Sequence, residues 1–144
     1  MQSNDGQWTS SVFRIISENM SVEDICNIIN IKPSRCFVKG AHYSKRNANS
    51  KIRDENLVIF ENGLDEQTSI ESHILYFLSL LKDRKNQIRR LQSECKFGIA
   101  CAFSSGNGQG GFTLDHEILK KLTEYPIELS INLYPPEERF HLEI

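Results

Sequence analysis

No stretch of this sequence is apolar for long enough to cross a bilayer. The longest apolar run lies within Ile74 to Leu81, against the roughly 20 residues that a spanning helix needs, so no membrane partner is expected. The opening MQSNDGQWTS has neither the basic nor the apolar region of an export signal, which predicts a cytoplasmic protein. No C-x-x-C pair occurs among Cys26, Cys36, Cys95 and Cys101, and His42, His73, His116 and His141 are scattered. Free thiols are therefore expected, with no disulfide framework, metal or cofactor. Positive charge is not in excess either: 17 Lys and Arg stand against 19 Asp and Glu, a net charge of -2. That balance argues against a dedicated nucleic-acid binder. Catalytic constellations are missing as well. Ser72-His73 and His116-Glu117 are adjacent, but neighbours on a helix do not face one another.

What is present is alternation. In Cys95 to Phe103 the odd positions are Cys95, Phe97, Ile99, Cys101 and Phe103, while the even ones are Lys96, Gly98, Ala100 and Ala102. Period two predicts a strand with one bulky apolar face and one small-residue face. Ile127, Leu129, Ile131 and Leu133 alternate with Glu128, Ser130, Asn132 and Tyr134 in the same way. Trp8 to Ser17 predicts the first strand, its buried parity undecided because Val12-Phe13 and Ile15-Ile16 are adjacent apolar pairs. Arg35 to Lys39 is expected to pair with Asn56 to Glu61.

Helices are signalled by caps and by a 3.6-residue period. Ser21-Val22-Glu23-Asp24 precedes Ile25, Ile28 and Ile29, with Pro33 beyond; Thr68-Ser69-Ile70-Glu71 precedes Ile70, Ile74, Phe77, Leu78 and Leu81. Ile88 and Leu91 extend the second stripe, so that helix either runs on to about Glu94 or breaks and restarts with Asp83 as a cap. A last helix from about Asp115 to Glu124 is expected to turn Ile118, Leu119 and Leu122 inward. Together these elements predict one α+β domain over 1–144, with 136–144 a loose tail. The sheet is expected to be four- or five-stranded and mostly antiparallel, in a ferredoxin-like order, with helices on one face and the other left largely open.

Two stretches carry opposite charge. From Lys32 to Arg53 the ionised residues are Lys32, Arg35, Lys39, Lys45, Arg46, Lys51 and Arg53, with no acid; from Asp54 to Leu81 they are Asp54, Glu55, Glu61, Asp65, Glu66 and Glu71, with no base. The connection Gly40 to Glu55 exceeds the ~12 to 15 residues typical of idle loops. Gly106 to Gly111 satisfies G-x-G-x-x-G between a strand and a helix. However, Phe112-Thr113-Leu114 separates the last glycine from any helix, whereas a dinucleotide fingerprint needs it at the helix start.

Ile31-Lys32-Pro33-Ser34 followed by Lys39-Gly40, then Gly111-Phe112-Thr113-Leu114 before a helix, then Leu129-Ser130-Ile131-Asn132-Leu133-Tyr134, resembles a small bacterial family. That family is called domain of unknown function four-two-seven-nine, and the likeness runs from roughly Phe13 to Tyr134. It implies an α+β domain and a bacterial source, and brings no established activity. The function expected is a non-catalytic protein-binding domain, read as an immunity protein that neutralises a toxin partner by charge-complementary contact. Its contact residues are expected to be Lys45, Arg46, Lys51, Arg53, Lys96, Glu128, Asn132 and Tyr134. The alternative is a small-molecule or nucleotide-binding domain, enzymatic or not, using the Gly106-Gly111 loop.

Overall fold

The structure, a computed structural model, describes residues 7–106 and 108–135. The expected tail 136–144 lies outside the described residues. The element order is β1 (Trp8–Ser17), α1 (Val22–Ile29), β2 (Arg35–Phe37), β3 (Asn56–Glu61), α2 (Ile70–Leu81), α3 (Lys85–Leu91), β4 (Lys96–Ser104), α4 (His116–Leu122) and β5 (Ile127–Leu133). The five strands form one sheet in the order β2-β3-β1-β4-β5. β1 pairs antiparallel with β3 and β4, and β2 antiparallel with β3. β5 joins β4 in parallel because α4 crosses over between them. The fold is thus α+β around a mixed, mostly antiparallel sheet.

Register settles the parity of β1. Phe13 lies opposite Phe60 and Ile99, and Ile15 opposite Val58 and Phe97. The odd positions of β1 therefore share a face with the bulky set of β4, and Trp8, Ser10, Val12, Arg14 and Ile16 point the other way.

Caps form where hydroxyls and carboxylates precede apolar stripes. The Ser21 hydroxyl accepts from Asp24 N, Ser69 from Ser72 N, and the Asp115 carboxylate from Ile118 N. α1 stops at Asn30, which takes the left-handed conformation at φ 57°. Between α2 and α3 the chain breaks, and the restart is at Arg84 with no side-chain cap, so Asp83 does not fill that role. The Arg84 guanidinium instead donates to Leu80 O at 2.9 Å, Ile29 O at 3.2 Å and Asn30 O at 3.5 Å. It occupies carbonyls that two helix ends leave open.

All four helices pack on one side. Ile25 and Ile29 of α1, Ile74, Phe77 and Leu81 of α2, Ile88 and Leu91 of α3, and Ile118 of α4 share a cluster with Phe13, Ile15, Val58, Phe60, Phe97 and Ile99. Burying each large side chain stabilises by about 1.5 to 3 kcal/mol. Two inward expectations need correction. Leu133 is 72% exposed and Leu119 48%, because β5 is an edge strand and α4 is only two turns, too short to cover its end.

The reverse face is not as open as its sequence suggests. A second cluster, Val12, Leu57, Ile59 and Ala100 with Ile16 and Phe37 against it, contains no helical residue, yet its central members are buried. Small β4 residues leave the larger β1 and β3 side chains to close over the middle.

Candidate interaction surface

The helix-free face can be laid out row by row from the register. One row reads Arg35, Ile59, Arg14, Gly98, Glu128 across the five strands, and the next towards the start of β4 reads Phe37, Leu57, Ile16, Lys96. On the other side lies Glu61, Val12, Ala100, Ser130. Buried aliphatics thus occupy the centre, while exposed Arg35, Glu61, Lys96 and Glu128 occupy the margins. Arg35 Nε is 3.4 Å from Glu61 Oε2, an exposed pair of small energetic consequence.

The long basic connection is folded back on itself. His42 bridges Ile52, Gly40 N donates to Arg53 O, Arg53 N to Ala41 O, and Tyr43 N to Lys51 O. Of its expected contact residues, Lys45, Arg46 and Lys51 are exposed and Arg53 is not. The Arg53 guanidinium lies 3.9 Å from the Phe37 ring centroid and 4.4 Å from that of Tyr43, and the residue is buried. It holds the loop down against β2 rather than offering itself to a partner.

Because β3 runs between them, the basic loop and most of the acidic stretch lie at opposite ends of the sheet, with Asp54 and Glu55 on the basic side. Lys96 is near the basic end, since it pairs with Ile16, whose other neighbour is Leu57. Glu128 follows it by one diagonal step. Asn132 and Tyr134 lie towards the acidic end, where the Tyr134 ring stacks on Trp8 at 5.4 Å. The eight residues therefore divide into two groups and do not form one patch.

A cluster invisible in the sequence lies at that acidic end, on the helix side. His73 is 1% exposed, and its Nδ1 is 2.6 Å from the Ser11 hydroxyl and 2.9 Å from the Asn62 amide nitrogen. Asn62 Nδ2 also donates to Ser11 Oγ at 2.7 Å, and its Oδ1 accepts from Leu64 N, which fixes the amide's orientation. With two donors aimed at it, Nδ1 accepts, and the ring is neutral with its proton on Nε2. Burial pushes the His73 pKa down, partly offset by the Asp65 carbonyl; among the described residues Nε2 has no partner in hydrogen-bonding geometry. The adjacency of Ser72 and His73 concealed this arrangement, since the hydroxyl involved lies 62 residues upstream.

Elsewhere the chemistry is sparse. A cleft of about 560 Å³ between α2, α3 and α4 is lined by Lys82, Lys85 and Lys121 but also by Asp83 and Glu124. Lys85 and Glu124 pair at 2.8 Å, which leaves Lys82 and Lys121 against Asp83, an excess of a single positive charge. In the glycine loop Gly106, Gly108 and Gly110 have positive φ, and Asn107 lies outside the described residues. α4 begins only at His116, with its first turn already capped by a carboxylate, an arrangement that repels rather than receives a phosphate. Among the described residues no helix is long and apolar enough to cross a membrane.

The family model described as "Domain of unknown function (DUF4279)" matches residues 7–136. No curated protein and no solved structure matches.

Proposed function

We propose, from the premise that the chain belongs to the DUF4279 family, that it is a non-catalytic protein-binding domain whose partner docks on the helix-free face of the sheet. The observation that carries this reading is the exposed charged margin of that face, Arg35, Glu61, Lys96 and Glu128, around a centre of Val12, Leu57, Ile59 and Ala100 that the chain has already buried without a helix over it. With that centre already closed to solvent, a partner on this face meets its charged margin, the polar and accessible kind of surface that forms the rim of protein interfaces. The strand order β2-β3-β1-β4 with β5 appended supports a ferredoxin-like order as the finer reading of this scaffold.

Within that class we read the protein as an immunity protein and the partner as a toxin, on the strength of two oppositely charged ends held apart by β3. Exposed charge of this kind steers encounter more than it holds the complex. Co-expression with a toxin encoded beside it should restore growth, and the association rate of the purified pair should fall about tenfold or more between low and physiological salt. Growth arrest despite co-expression, or a rate indifferent to salt, contradicts the immunity reading.

A further inference from the structure

We infer that Cys26 of α1 and Cys36 of β2 are a modification site, a thiol pair that hydroperoxides convert to a reversible disulfide. The inference is independent of the docking reading. In the structure all four cysteines are free thiols. The strand register places Cys36 beside Val58, which lies opposite Ile15, itself opposite Phe97. Val58, Ile15 and Phe97 all belong to the cluster under the helices, so Cys36 stands on the helix side of the sheet. Phe37, its successor, packs against the second cluster on the reverse face, as alternation requires. Cys26 reaches the same place from above. α1 packs on β3, and Cys26 is half-buried against the helix-side cluster, next to the fully buried Ile25. The two side chains meet there. Burial pushes the Cys26 pKa up to about 11, and the Cys36 thiol adds to the rise as a neighbouring charge and as a hydrogen-bond partner.

Exposure divides the work between the two thiols. Cys36 is open to solvent, whereas Cys26 is half-covered, so a hydroperoxide meets Cys36 first. The Cys36 thiolate attacks the O–O bond, which breaks to release an alcohol, or water where the oxidant is hydrogen peroxide, and leaves a sulfenic acid on Cys36. The Cys26 sulfur then attacks the Cys36 sulfur. The S–S bond forms, the S–O bond breaks, and the departing hydroxide leaves with the Cys26 proton as water. Each thiol sulfur gives up one electron and the hydroperoxide takes up both. A thiol reductant reverses the bond by exchange. Cys95 and Cys101 have no such outlet. Both are buried, and burial raises the pKa of each, that of Cys101 to about 12. Cys101 follows Cys95 by six residues of extended chain, and at about 3.3 Å per residue the two are too far apart to bond. β3 and β1 separate both of them from Cys36.

The test treats the whole reduced chain with equimolar hydrogen peroxide, alkylates the remaining thiols under denaturing conditions and digests with trypsin for mass spectrometry. Cleavage after Arg14, Arg35 and Lys39 puts Cys26 in peptide 15–35 and Cys36 in peptide 36–39, because Lys32 precedes Pro33 and resists the protease. The expected result is a joined species of these two peptides, about 2 Da lighter than their sum, with Cys95 and Cys101 alkylated. Dithiothreitol should abolish it. In Cys26→Ser the sulfenic acid has no resolving thiol, so dimedone should label Cys36 there and not in the parent. Cys36→Ser should leave Cys26 unoxidised at the same dose. Four alkylated cysteines after peroxide, a covalent dimer joined through Cys36, a dimedone adduct on Cys36 of the parent, or oxidation of Cys95 or Cys101 ahead of this pair each overturns the assignment.

Discussion

Ser11, Asn62 and His73 satisfy one another only while the imidazole is neutral, and that has a thermodynamic consequence. The unfolded chain takes up a proton at the ordinary histidine value of 6.5, whereas the folded protein resists it because burial lowers the His73 pKa. Folding stability contributed by this group is therefore complete above pH 6.5 and drains away as pH falls below it, towards the depressed folded value. Urea unfolding at pH 7.5 and 5.5 should find the protein less stable at the lower pH. His73→Phe should narrow that difference while losing about 1 to 3 kcal/mol at pH 7.5, because Ser11 and Asn62 lose their acceptor; an unchanged pH dependence in the variant would remove His73 as its source. The cluster could not be read from the sequence, since its members lie 62 and 11 residues apart. Arg14 was hidden differently. Flanked by Val12-Phe13 and Ile15-Ile16, it acquires a face only once the pairing of β1 with β3 and β4 is known.

At the scale of elements, local signals carried far. Ser21, Ser69 and Asp115 cap the helices that their spacing announces, and the alternation of 95–103 and 127–133 appears as β4 and β5. Local pattern could not supply the strand order, because pairing joins segments distant in the chain, or the exposure of Leu133, because alternation says which side a residue faces and not whether anything covers that side. The break between α2 and α3 depends on Arg84, whose bonds reach carbonyls of α1 some 55 residues away. Arg84→Ala should lower stability by about 1.5 to 3 kcal/mol, the worth of hydrogen bonds from a charged group. It should appear as a reduced denaturant midpoint at constant slope; an unshifted midpoint would mean that the helix break holds without this side chain.

For the whole molecule, the division of labour between the two sides of the sheet matters most. One side spends its large apolar residues on four helices; the other keeps a small sealed patch with ionised margins. The helix side has exposed apolar residues of its own, Leu75 at 37%, Tyr76 at 39% and Leu119 at 48%, and these make the competing surface. Partner contact at either place would satisfy a protein-binding function, but the charged margin of Arg35, Glu61, Lys96 and Glu128 belongs to the helix-free face alone.

The direct measurement is a cross-saturation NMR footprint of this chain bound to its partner. Attenuation centred on Arg35, Glu61, Lys96 and Glu128 is the predicted result, and attenuation confined to Leu75, Tyr76 and Leu119 would contradict it.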